Sequence, residues 1–128
     1  MEKIKLDSGV ESFRIGAGVL RFNPTDPNLY ARFLEAVDSI AALESQMGNP
    51  QVQGAEAVAL LGEIDSRVKA ILQQVFGPEN DLAGIFAGVN LLALGTNGKR
   101  VLNNFFDALE PIMTRGAKAC AAQRAQKL

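Results

Sequence analysis

The sequence has no histidine and no tryptophan, one cysteine and one tyrosine. Without histidine, the commonest general base, the usual metal-binding imidazole and the standard nucleophilic triads are all missing. The single cysteine, Cys120, excludes an intrachain disulfide and a Cys/His zinc site. So few large aromatic side chains with a polar tip leave no evident stacking platform for a sugar or a base. An excess of one charge sign is also missing. The 13 basic and 14 acidic residues leave a net charge of −1, so no global field recruits nucleic acid or an anionic membrane. No uninterrupted apolar run approaches the roughly 20 residues that span a bilayer. The opening Met1-Glu2-Lys3-Ile4-Lys5-Leu6-Asp7 lacks the apolar centre of a signal peptide. These absences predict a cytoplasmic protein that is not an enzyme, carries no cofactor or metal, and has neither membrane nor nucleic acid as a partner.

What is present suits a single folded domain over residues 1–128. Hydrophobic residues make up 48% and charged residues 21%, and a chain of 128 residues can bury a core without staples. The acids Glu35, Asp38, Glu56, Glu63, Asp65, Asp107 and Glu110 mostly fall off the apolar stripes. A paired-carboxylate site is conceivable among them, but solvated surface is the default reading.

The organising stretch is Arg21-Phe22-Asn23-Pro24-Thr25-Asp26-Pro27, where an alternating pattern gives way to a helical one. Residues 1–22 read as strands. Ile4 and Leu6 alternate with Lys3, Lys5 and Asp7, Phe13 and Ile15 alternate with Ser12 and Arg14, and Val19, Leu20 and Phe22 follow. Ser8-Gly9 and Gly16-Ala17-Gly18 are turn signals, so a β-hairpin or a three-stranded meander is predicted. Pro24 disfavours a continuing strand, Asp26 suits a helix N-cap and Pro27 the first helical position.

Four helices are predicted, over 27–47, 55–76, 79–93 and 99–126, giving an α+β, mostly α, fold class. In the first, Tyr30, Phe33, Leu34, Val37, Ile40 and Ala41 form one stripe, and Gly48-Asn49-Pro50 is the stop signal. In the second, Leu61, Ile64, Val68, Ile71 and Val75 recur in steps of three and four, widened by Leu72 and Phe76. This spacing suits an intramolecular helix pair or an oligomer seam, so self-association stays open. Gly77-Pro78 breaks the chain. The third helix holds Leu82, Ile85, Phe86 and Val89. The fourth carries Val101, Leu102, Phe105, Phe106, Leu109, Ile112 and Met113, with a kink expected at Pro111. Beyond it lie Arg115, Lys118, Arg124 and Lys127 with no acid, a pattern that complements a helix C-terminus or serves as a basic tail for RNA or an acidic partner.

Two glycine motifs resemble nucleotide sites without meeting their requirements. Gly16-Ala17-Gly18 lacks the continuation that opens a helix in a dinucleotide fold. Gly95-Thr96-Asn97-Gly98-Lys99-Arg100 has Ala93 where a P-loop needs its first glycine, and Arg100 where it needs the hydroxyl that ligates magnesium. It reads as a turn.

The run Leu20-Arg21-Phe22-Asn23-Pro24-Thr25-Asp26, followed by Asn28-Leu29-Tyr30-Ala31-Arg32-Phe33, resembles small tail assembly chaperones of tailed phages and prophages of Gram-positive bacteria. In that family a hairpin leads through a similar turn into an aromatic-bearing helix. Val68 to Gly77 resembles the family's central helix, which closes on Phe-Gly. The Gly77–Asn90 stretch resembles the short region after it, and Phe105 to Met113 resembles its C-terminal helix. The basic end from Arg115 to Leu128 has no counterpart among these marks. The resemblance implies a non-enzymatic protein of the bacterial host cytoplasm that coats the phage tape-measure protein before tail-tube subunits assemble, with the tail-tube protein as a second potential partner. The candidate partner-binding residues are Phe33, Val37, Leu61, Val68 and Ile71, each of which serves equally as core. A structural tail or head-completion protein, and a small regulator with a nucleic-acid-binding basic tail, are the competing readings.

Overall fold

The computed structural model describes residues 1–48 and 53–127, without the side chains of 124–127. It is a mostly helical α+β fold. An N-terminal antiparallel hairpin, β1 (Glu11–Ile15) and β2 (Gly18–Phe22), precedes four helices: α1 (Pro27–Glu44), α2 (Ala55–Phe76), α3 (Leu82–Ile85) and α4 (Val101–Lys127). A 3₁₀ turn, Ser45–Gly48, extends α1. The predicted stop at Asn49-Pro50 lies outside the described residues.

Gly16 and Ala17 connect the strands. Gly16 has φ +55° and Ala17 does not share that region, the pattern of a II′ turn, whose twist matches paired strands. The register sets Phe13 opposite Leu20 and Glu11 opposite Phe22. The third strand of a meander does not form. Ile4 and Leu6 stand 91% and 84% exposed, because Asn23 captures the turn expected to fold them back. The Asn23 Nδ2 donates to the Ser8 carbonyl at 2.9 Å, holding the chain beside β2.

Asp26 caps α1 as its residue type predicts, its Oδ1 accepting from the Asn28 N–H at 2.9 Å, with Pro27 opening the helix. The face of α1 that enters the core is Leu29, Phe33, Ala36 and Ile40. Tyr30, Leu34 and Val37, on the flank of the predicted stripe, are left half-buried or exposed. Helix α2 buries Ile64, Val68, Leu72, Val75 and Phe76 and runs antiparallel to α1, as the Arg32 Nε donating to the Val75 carbonyl shows. Gly77 ends α2 at φ +89°.

The third helix is much shorter than the predicted 79–93. Asp81 caps its first turn at the Gly84 N–H, but the helix ends at Ile85 and Gly88 turns away at φ +76°. Leu91 and Leu92 are buried all the same, in a turn rather than a helix. The reason is Asp65, expected at the surface but buried within α2. Its Oδ1 accepts from the Leu91 N–H at 2.8 Å, and its Oδ2 pairs with Lys69 Nζ at 2.9 Å. Lys69 also donates to the Val89 carbonyl, so this pair pins the 89–91 backbone against α2. Helix α4 begins at Val101 rather than Lys99 because Arg100 is held in a bridge with Leu94. It continues through Pro111.

All seven phenylalanines join in one chain of ring contacts. It runs Phe13–Phe22–Phe76–Phe105, with Phe86 and Phe106 on Phe105 and Phe33 on Phe106. Hairpin, α1, α2 and α4 thus share one core, and the rings meet tilted or edge-on except the stacked Phe13–Phe22 pair.

Candidate functional site

Helix α4 has an apolar groove on each side. It lies antiparallel to α1, with Phe106 against Phe33 at one end and Gly116 against the Pro24-Thr25 backbone at the other. Between these points is a groove of about 240 Å³, lined by Tyr30, Phe33, Leu34 and Val37 of α1 and by Phe106 and Met113 of α4. Glu110 and Thr114 supply its polar margin. Leu34 is 48% exposed and Val37 37%, so the floor is core and the walls are open.

The groove follows from sequence geometry. The apolar positions of α1 cover a wider arc than one neighbour can bury. Leu29, Phe33, Ala36 and Ile40 take the core. The residues one step round the helix have only the edge of α4 beside them.

On its other side α4 faces β1 across a larger groove of about 580 Å³, walled by Phe13 and Ile15, by Phe86, and by Phe105, Ala108 and Ile112. Here the strand alternation of β1 and the helical spacing of α4 converge on one apolar space.

The predicted contact residues separate. Phe33 and Val37 meet in the α1–α4 groove, Phe33 as buried floor and Val37 as wall. Val68 is fully buried and presents no surface. Leu61 is half-buried and packed on the core. Ile71 lies on the opposite seam of α1, beside Arg32 and Gln74. Leu34 and Phe106 also line the groove, although neither is among the predicted contact residues. Their signal was the width of the two apolar faces.

The Gly95–Arg100 motif is a closed turn. The Gly95 N–H donates to the Lys99 carbonyl at 2.7 Å, and Lys99 Nζ pairs with Asp107 at 2.9 Å. The lysine is thereby directed along α4 rather than over a cradle of free amides. Among the described residues, no group of three His, Cys, Asp or Glu side chains lies together to hold a metal ion, and no helix is long and apolar enough to cross a membrane.

Both grooves beside α4 have apolar walls and a sparse polar rim. No family model, curated protein or solved structure matches this chain.

Proposed function

We propose that this protein is a non-enzymatic tail assembly chaperone of a phage or prophage, acting in the bacterial host cytoplasm on the tape-measure protein during tail morphogenesis. The observation that carries the reading is the open α1–α4 groove, with Tyr30, Leu34, Val37 and Phe106 around it. A groove between two helices accepts the apolar face of an amphipathic helix laid along it, through anchors spaced three and four apart. A tape-measure protein is a long, mostly helical chain that offers such faces repeatedly. The resemblance of the Leu20–Asp26 junction and of the helix after it to this chaperone family supports the same reading, since that junction delivers the groove's first wall.

With a net charge of −1, long-range attraction is small, and affinity resides in apolar contact multiplied along the target. Co-expression with the tape-measure protein tests this. The expected result is a soluble complex with several copies of this chain per target, little affected by salt, while the target alone aggregates through its apolar stripes. An insoluble target, together with RNA binding that weakens steeply with salt and depends on residues 115–128, would replace the chaperone with a basic-tail regulator. Abundance of this chain in purified virions would replace it with a structural tail or head-completion protein.

A further inference from the structure

The two edges of the hairpin are finished differently. The two-residue loop makes Ile15 and Gly18 a hydrogen-bonded pair, so Phe13–Leu20 and Glu11–Phe22 are bonded pairs as well. The backbone groups of Arg21 therefore point outward from β2, and the side chain of Asn80 meets both of them. The corresponding groups of Ser12 and Arg14 point outward from β1, where no hydrogen bond reaches them among the described residues. That open edge borders the 580 Å³ apolar groove. An unpaired strand edge above an unfilled apolar wall is the acceptor half of β-strand addition.

The chain also carries a donor. Lys3-Ile4-Lys5-Leu6-Asp7 has strand alternation, and its two apolar side chains are almost fully exposed. Its own acceptor edge suits it poorly. A fold-back across Ser8-Gly9 is necessarily antiparallel and sets Lys3 directly opposite Arg14, a like-charge pair. The Ser8 carbonyl is instead held at Asn23, on the side of β2. A parallel alignment that places Leu6 beside Phe13 places Asp7 beside Arg14 and Lys5 beside Ser12. Arg14 has no acidic partner among the described residues, and the Oδ1 of Asp7 already accepts from the Gly9 N–H, which leaves Oδ2 for the guanidinium. A parallel strand cannot come through a tight turn, so it comes from another molecule.

We propose that residues 3–7 of one copy add as a parallel third strand to β1 of a second copy, placing Leu6 in the groove between β1 and α4 and Ile4 beside Glu11, where Phe13 and Ile112 continue the apolar wall. Donor and acceptor are different surfaces of one chain, so the contact can propagate from copy to copy. The inference does not rest on the tail-assembly role.

Sedimentation velocity across a wide concentration range, on the full chain and on a full-length Ile4→Asp/Leu6→Asp variant, tests it. Both substituted residues are exposed, so the variant keeps its fold. The parent is expected to self-associate as concentration rises. The variant is expected to stay monomeric and to bind a capped peptide spanning residues 2–8 in its vacant groove. Asp7→Lys in that peptide should weaken binding by up to about fivefold, with recovery when the acceptor carries Arg14→Glu. A parent that stays monomeric overturns the proposal. Peptide binding by the variant would then mean that the segment fills its own groove, and no binding would mean that the edge accepts nothing. A double variant that associates as well as its parent places the interface elsewhere and also overturns it.

Discussion

The carboxamide of Asn80 closes on the backbone of Arg21 as a neighbouring strand would, its Oδ1 accepting from the Arg21 N–H and its Nδ2 donating to the Arg21 carbonyl, both at 2.8 Å. Nδ2 also donates to the Phe76 carbonyl at 2.8 Å, so this buried side chain ties the edge of β2 to the end of α2. Gln73 holds the same turn from inside α2, donating to the Gly77 carbonyl and accepting from the Leu82 N–H. Hairpin and helices are joined here by hydrogen bonds as well as by the phenylalanine core.

Asn80→Ala leaves three backbone groups without that partner and should lower stability by about 2–3 kcal/mol. Asn80→Asp should be no better, because an ionised carboxylate can accept from Arg21 but cannot donate to the two carbonyls. Urea denaturation of both variants checks this, and an unchanged midpoint for Asn80→Ala would remove the clasp from the account of stability.

Asp26 supplies one hydrogen bond at the start of α1, to the Asn28 N–H. Asp26→Ala should cost about 0.5–2 kcal/mol, and Asp26→Ser should recover most of it. Thermal melts of the pair separate loss of the cap from a general effect of substitution at this junction.

Two helical glycines should respond in opposite directions. Gly116 is buried where α4 crosses the Pro24-Thr25 turn, and a Cβ there would run into the Pro24 carbonyl. Gly116→Ala should destabilise by about 1–3 kcal/mol, because a backbone on the other side cannot give way as a side chain can. Gly62 sits on the exposed face of α2 with nothing near its missing Cβ. Gly62→Ala should stabilise by about 0.5–1 kcal/mol. Equal effects in denaturant would contradict the close approach at Gly116.

The groove has its own test. Leu34→Asp and Val37→Asp alter half-exposed walls and should each cost about 1–2 kcal/mol while keeping the fold. If the groove receives an apolar helix, each should weaken binding to a tape-measure fragment about tenfold. Binding measured by calorimetry, with circular dichroism as the fold control, gives the answer. Undiminished affinity in both variants would move the partner to another surface.

By itself the sequence determined the local pieces. Asn23-Pro24-Thr25-Asp26-Pro27 specified where strand gives way to helix, because fixed proline φ and a capping carboxylate act within a few residues. The apolar repeats of α2 and α4 marked the core, and Gly77 marked the end of α2. Tertiary structure decided what depends on a distant partner. Residues 79–93 have helical apolar spacing, yet Asp65, more than twenty positions earlier, takes the Leu91 amide and holds that stretch in a turn. Residues 3–7 have strand spacing, yet Asn23 takes the Ser8 carbonyl and no strand forms within the chain. The same applies to α1, where the stripe from Tyr30 to Ala41 was legible but its division into core and groove was not. Periodicity records which positions are apolar. Which of them meet a neighbour depends on where α4 crosses, and that crossing is set by Gly116 against Pro24 and by Phe106 against Phe33.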